Sequence, residues 1–227
     1  MNKRISTFTP PISKADENKR ERVLSFAEER RLLEACGART TTYTRKGKEI
    51  TATFKNGRDH LRPLIITAVD TGMRRGELFK LCWRDVDLEA QSITITALNS
   101  KTAQARYIAM TPRVYAELCR LRENSPKDAN GLVFGIVDTI KRSWASACKN
   151  AKIAGLRFHD TRHTAITRMI QAGISPTEVM KISGHSQMTT FLRYVNPAGD
   201  ALRRAADALA AYHAAQTDTP TANELVN

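Results

Sequence analysis

Apolar residues recur at helical spacing through most of the chain, broken by short stretches in which apolar and polar residues alternate. From His60 to Val69, Leu61, Leu64, Ile65, Ala68 and Val69 mark one predicted helix, which Gly72 ends. Arg75 to Leu81 predicts a second. Ser25-Phe26-Ala27-Glu28 has the form of a capping box, and Leu32 and Leu33 follow it on a helix to about Cys36. Asp85-Val86-Asp87-Leu88 turns into a β-rich stretch, Ser92 to Thr96. Its expected partner is Arg106 to Met110, with Lys101 in the turn between them. Thr111-Pro112 opens a helix to about Arg122, and another is expected over 139–153. Asp160 starts a helix carrying Arg162, Ile166, Met169 and Ile170, which Gly173 closes. Ser175-Pro176-Thr177-Glu178 is a second capping box, opening a short helix to Ile182. Residues 187–194 read as helical and end at a tyrosine, and 199–214 form an Ala-rich helix with Leu202 and Leu209. Thr41–Thr44 and Ile50–Phe54 fit either a small hairpin around Lys46-Gly47-Lys48 or a flexible basic loop. The resulting class is mainly α with a small antiparallel β-sheet (α+β).

This pattern places one domain over residues 22–214. Residues 1–21, polar and charged with Pro10-Pro11, read as an extended arm or linker, and 215–227 as a disordered tail. Hydrophobic residues make up 41% of the 227, enough for a real core. Lys and Arg number 36 against 23 acidic residues, a formal net charge of +13, which favours a polyanionic partner. Cys36, Cys82, Cys119 and Cys148 match neither a zinc site nor a disulfide framework and are expected to be reduced, mostly buried thiols. With no long apolar run and no signal peptide, the expectation is a soluble cytoplasmic protein without membrane association.

The chemistry-bearing residues cluster late in the chain. His159-Asp160-Thr161-Arg162-His163 is followed by Ser183-Gly184-His185, then by Phe191-Leu192-Arg193-Tyr194. Arg162, His185 and Tyr194 thus stand at intervals of 23 and 9 residues. Upstream, Thr71-Gly72-Met73-Arg74-Arg75-Gly76-Glu77 puts a further arginine at a helix start. Guanidinium groups, planar and permanently charged, are the side chains best able to meet charge growing on a phosphodiester's non-bridging oxygens. His159 and Arg162, three apart, share a helix face, and His159 is a candidate proton acceptor. His185 follows a glycine in a tight turn from which an imidazole can reach a phosphate oxygen. Tyr194 is a candidate nucleophile. A free phenol has a pKa of about 10 and needs a cationic or basic environment to react at neutral pH.

In their order and spacing these segments resemble the catalytic domain of the tyrosine recombinases, the phage integrase family. The resemblance covers about residues 22–214. It implies a site-specific recombinase that cleaves and rejoins DNA through a 3′-phosphotyrosyl intermediate, with Tyr194 as nucleophile and no metal or other cofactor. Thr-Gly-x-Arg favours Arg74 over Arg75 as the first catalytic arginine, and His-x-x-Arg supplies His159 and Arg162. Lys101, in a β-turn, is implied as the general acid on the departing 5′ oxygen. Glu77 recurs in the family's motif and is expected to support the arginine helix. His163 is read as structural. Arg106 is expected on the DNA backbone, as are Arg45, Lys46 and Lys48. The partner implied is double-stranded DNA in the nucleoid, bound by a chain that is a monomer when free and a homotetramer on two DNA sites. The C-terminal helix would link protomers. The first 21 residues are too few for the family's N-terminal clamping domain, which leaves a fragment and a catalytic-domain-only recombinase as readings. Competing functions are a type IB topoisomerase-like or telomere-resolving enzyme and a non-catalytic DNA-binding regulator. A third is a metal-dependent nuclease with His159, Asp160, His163 and His185 as ligands, which the arginine between them opposes.

Overall fold

A computed structural model of the chain describes residues 22–37, 39–45, 48–54, 60–97, 99, 105–194 and 200–217. The arm at 1–21, Lys46 and Lys101 lie outside the described residues. Helix α1 (Phe26–Glu34) begins as the sequence predicts: the Ser25 hydroxyl accepts from the Glu28 N–H and the Glu28 carboxylate accepts from the Ser25 N–H. A hairpin of β1 (Arg39–Arg45) and β2 (Lys48–Phe54) follows, antiparallel, with Tyr43 opposite Ile50 and Arg45 opposite Lys48 as its closing backbone pair.

Helix α2 (Leu61–Thr71) is the centre of the core. It is apolar on nearly every face, and all its residues except Arg62 and Asp70 are buried, as expected of a helix surrounded by protein. Gly72 ends it in the left-handed conformation, φ 65°, where its N–H closes on the Ala68 carbonyl. The chain then turns directly into α3 (Arg75–Phe79), with Arg74 extended at the cap position. A 3₁₀ turn (Trp83–Asp85) leads to the sheet: β3 (Val86–Asp87), β4 (Ser92–Ile95) and β5 (Arg106–Ala109), in that order and all antiparallel. Ile93 pairs with Ile108 and Ile95 with Arg106. Ile93, Ile95 and Ile108 are buried while Tyr107 is exposed, the alternation of a one-sided sheet.

Helix α4 (Pro112–Glu123) has Thr111 as cap and Pro at its first position. It is followed by α5 (Lys141–Asn150), α6 (Asp160–Gln171) and α7 (Pro176–Ser183). Helices α4 and α6 pack against α2. Trp144 seals the lower core, edge-on to Phe158 and with its indole N–H on the Leu156 carbonyl at 3.1 Å. Beyond Ser186 the chain forms a second compact unit, residues 187–227, holding α8 (Met188–Phe191), a 3₁₀ turn (Leu192–Tyr194) and α9 (Asp200–Thr217). Among the described residues no helix is long and apolar enough to cross a membrane.

The sequence expected Asp85–Leu88 to be a turn, and the structure makes Val86–Asp87 a third strand. The predicted helix over 139–153 is shorter because Lys152 takes a positive φ of 53° and the Ile153 N–H turns back to the Cys148 carbonyl.

Candidate active site

Glu77 organises the first half of the site. Its carboxylate, 2% exposed, takes the Arg74 N–H at 2.8 Å and so caps α3. The same carboxylate receives the Arg74 guanidinium at 3.1 Å and both terminal nitrogens of Arg106 at 3.1 and 2.7 Å. Burial pushes the Glu77 carboxyl up. Hydrogen bonding and charge from Arg106, together with the Arg74 N–H and charge, outweigh that and hold it below the usual carboxylate range. One carboxylate thus stands between two guanidiniums, leaving an excess of positive charge before Arg162 is counted.

The end of α7 organises the second half. Gly184 caps α7 in the left-handed conformation, φ 70°, and exposes three successive carbonyls. Arg106 Nε donates to Ile182 O at 2.9 Å, Arg162 to Ser183 O at 2.7 Å, and Arg74 to Gly184 O at 2.5 Å. Arg162 is buried in the first turn of α6. Its second contact from the same nitrogen is the Gly72 carbonyl at 2.6 Å, which ties the end of α2 to the end of α7. Both Gly72 and Gly184 are therefore glycines for a backbone reason, and both present carbonyls to catalytic candidates.

The tautomer of His185 follows from its neighbours. The Ser183 hydroxyl has one proton, and it lies on the Val179 carbonyl at 2.6 Å. Toward His185 Nδ1, 2.8 Å away, the hydroxyl must then accept, so Nδ1 carries hydrogen. The Arg162 Nη2 stands 3.3 Å from each ring nitrogen. With hydrogen on Nδ1, Nε2 is the ring atom that can accept from Arg162, so imidazole and guanidinium are held together.

His159 is exposed at the cap of α6, its carbonyl accepting the Arg162 N–H at 3.1 Å and its ring edge-on to buried His163 at 5.5 Å. Tyr194 belongs to the second unit, where its ring lies 5.6 Å from Phe191. Lys101 and Lys46 are outside the described residues, and of Arg45 and Lys48 only the strand positions are described. Arg106, expected on the DNA backbone, has a side chain that is 10% exposed and folds inward onto Glu77. The alternation of β5 carries that information, since Arg106 shares a face with buried Ile108. Ser183 was not singled out in the sequence, although its position two residues before a site histidine is a usable signal. Among the described residues no three His, Cys, Asp or Glu side chains gather into a metal-ligating group. The arrangement is that of a tetrahedral-anion site: fixed guanidiniums and an imidazole around the end of one helix.

Comparison with known proteins shows the family and the fold. The sequence profile of the Phage integrase family matches residues 23–200. A shufflon-specific DNA recombinase of Escherichia coli is 30% identical over 131 residues, 57% of this chain and 33% of that protein. The integrase of Salmonella phage P22 is 25% identical over 203 residues, 82% of this chain and 47% of that protein. The chain therefore spans a third to a half of the length of these relatives. Among solved structures, the Tn1549 transposon integrase in complex with a circular intermediate DNA superposes with a TM-score of 0.63 at 21% identity, over 86% of this chain and 67% of that one. The fold is that of a tyrosine recombinase catalytic domain, and the chain belongs to the phage integrase family.

Proposed function

We propose that this chain carries the catalytic part of a site-specific DNA recombinase. The observation that supports this best is the gathering of Arg74, Arg162 and His185 around the carbonyls that end α2 and α7. Two guanidiniums and an imidazole so fixed suit a scissile phosphate, stabilising the charge that grows on its non-bridging oxygens. In this reading the Tyr194 oxygen forms a bond to phosphorus as the bond to the 5′ oxygen breaks. The phenolic proton passes to His159, and Lys101 protonates the departing 5′ oxygen. Attack by a 5′ hydroxyl of a second duplex reverses the step and reseals the strand. The bond energy stays in the phosphotyrosine, so no metal or nucleotide is required. Double-stranded DNA in the nucleoid is the partner, held by four protomers on two sites with α9 as the linking element. Arg45, Lys46 and Lys48 add sequence-independent backbone contacts.

The test uses a nicked duplex selected from a random-sequence pool for covalent capture by the full chain. A protein–DNA adduct surviving denaturation is expected from the wild type in excess EDTA and absent from Tyr194→Phe, which keeps DNA binding. An adduct in the Phe variant, or cleavage that EDTA abolishes and magnesium restores, overturns the proposal. Relaxation of supercoiled plasmid without strand exchange points instead to a topoisomerase-like activity.

A further inference from the structure

We propose that Arg106 is a positioning residue of the phosphate site, acting on the rate of strand cleavage through Arg74 and the end of α7 and not as a contact to the DNA backbone. The inference rests on the recombinase reading and concerns a residue to which the sequence assigned the opposite role.

The geometry carries it. Every nitrogen of the Arg106 guanidinium is engaged: Nε with Ile182 O at 2.9 Å, and the two terminal nitrogens with the two oxygens of Glu77 at 3.1 and 2.7 Å. Glu77 is equally full, since each of its oxygens also takes a donor from Arg74. Arg74 in turn reaches Gly184 O. The contacts close a ring, from Arg106 to Glu77, to Arg74, to the end of α7, and back to Arg106. Arg74 therefore has two anchors, and Arg106 sets the distance between them by bridging Glu77 to the same turn of α7. A second observation is steric. A Cβ built on Gly184 would lie 2.9 Å from Arg106 Nη1, 3.0 Å from its Cζ and 3.2 Å from Arg74 Nη1. The two guanidiniums thus rest directly against the bare α-carbon of the residue before His185. Three of its five N–H bonds are spent on Glu77 and Ile182, so the guanidinium is held chiefly as a link between them. Without it, the carboxylate that aligns Arg74 keeps a single cationic partner, and the Ile182 carbonyl loses this donor.

The two roles separate in measurement. A backbone contact contributes to affinity: its loss weakens DNA binding and lowers the salt slope by about one unit, while the rate at saturating DNA stays as it was. A positioning residue does the reverse, because binding is spread over many phosphates and the rate depends on one. The experiment compares the wild type, Arg106→Lys and Gly184→Ala on the selected nicked duplex, with folding checked by circular dichroism. Lysine keeps the charge but not the fork that joins Glu77 to Ile182 O. Alanine leaves Arg106 in place chemically but displaces it. The expected result is a fall of about thirtyfold or more in adduct formation at saturating DNA for both. The midpoint of DNA binding and its salt slope should stay within about twofold and half a unit of the wild type. A second reading needs no cleavage: tungstate, a tetrahedral dianion, should raise the melting temperature of the wild type and of Tyr194→Phe, and do so much less in Arg106→Lys. Weakened binding with an unchanged saturating rate overturns the proposal, as does a full tungstate response in Arg106→Lys. If the wild type forms no adduct, the recombinase reading fails and the tungstate measurement alone decides the role of Arg106.

Discussion

Three buried glutamates among the described residues each hold a pair of arginines; Glu117 holds Arg62 and Arg120, both nearly half exposed, while Glu29 and Glu77 lie deeper and differ from each other. Glu29, 3% exposed in α1, binds Arg113 from α4 and Arg168 from α6. Glu77, 2% exposed in α3, binds Arg74 and Arg106. Around Glu29 the charges balance, because Arg113 also pairs with Asp70, giving two acids for two bases. The group is a staple between helices and asks for nothing further. Around Glu77 one acid faces two bases, with Arg162 close by on the same turn of α7. In the proposed reading an anion completes that group. Between Glu29 and Glu77 the balance of charge differs where burial and residue type do not.

Breaking each centre should give different phenotypes. Glu77→Gln is expected to slow adduct formation about a hundredfold to a thousandfold, because Arg74 loses its alignment. It should also make the protein's melting temperature more responsive to sulfate, which then screens the uncompensated arginines. A cleavage rate within a few-fold of the wild type would erase the distinction. Glu29→Gln, by contrast, should cost about 3 kcal/mol of stability by leaving Arg168 and Arg113 short of charge. That is about 6–12 °C in melting temperature for a chain of this size. Adduct formation at 25 °C should be unchanged, and slowed cleavage without lost stability would sink the contrast.

Smaller effects sharpen it. Ser183→Ala removes the acceptor that fixes Nδ1–H on His185, and adduct formation should fall about tenfold with stability little changed. Glu28 belongs to the scaffold side: hydrogen bonding to Arg22, with help from Ser25, holds its carboxyl down to about 2. Because the folded-state value lies below the unfolded value of about 4.3, the pair contributes stability above that pH. The contribution is lost as pH falls toward 2. After allowance for screening at the surface it amounts to about 1 kcal/mol. In Glu28→Gln the slope of melting temperature against pH should flatten between about pH 4.5 and 2, with cleavage untouched. An unchanged slope would remove Glu28 from the scaffold account.

Much of this was legible in the sequence, for local reasons. The caps at Ser25, Thr111 and Ser175 are hydrogen bonds over three residues, so they can be read directly from the string. Gly72 and Gly184 were readable because a helix end with a left-handed residue nearly demands glycine. What escaped was set by distance along the chain. Arg106 meets Glu77 across 29 residues and Ile182 across 76; strand alternation gives the face it shares with Ile108 but not these partners. The short strand Val86–Asp87 was missed because two residues carry no periodicity; its partners in β4 define it. The role of Ser183 depends on where its proton goes, which only the geometry of α7 decides.

Those separations also set a clock. The segment from Leu24 to Arg31 is fastened by late residues: Leu24 by Thr164 and Arg168, Glu29 by Arg168, Arg31 by Ala151. The intervals run from 120 to 144 residues. At a synthesis rate of roughly 5–20 residues per second, the segment waits roughly 6 to 30 seconds for its partners to leave the ribosome. A nine-residue helix does not hold by itself in water for that time, and Glu29 stays hydrated meanwhile. Helix α1 therefore takes its final contacts only after α6 has been made. On the ribosome these contacts form only after Arg74, His159 and Arg162 have been translated.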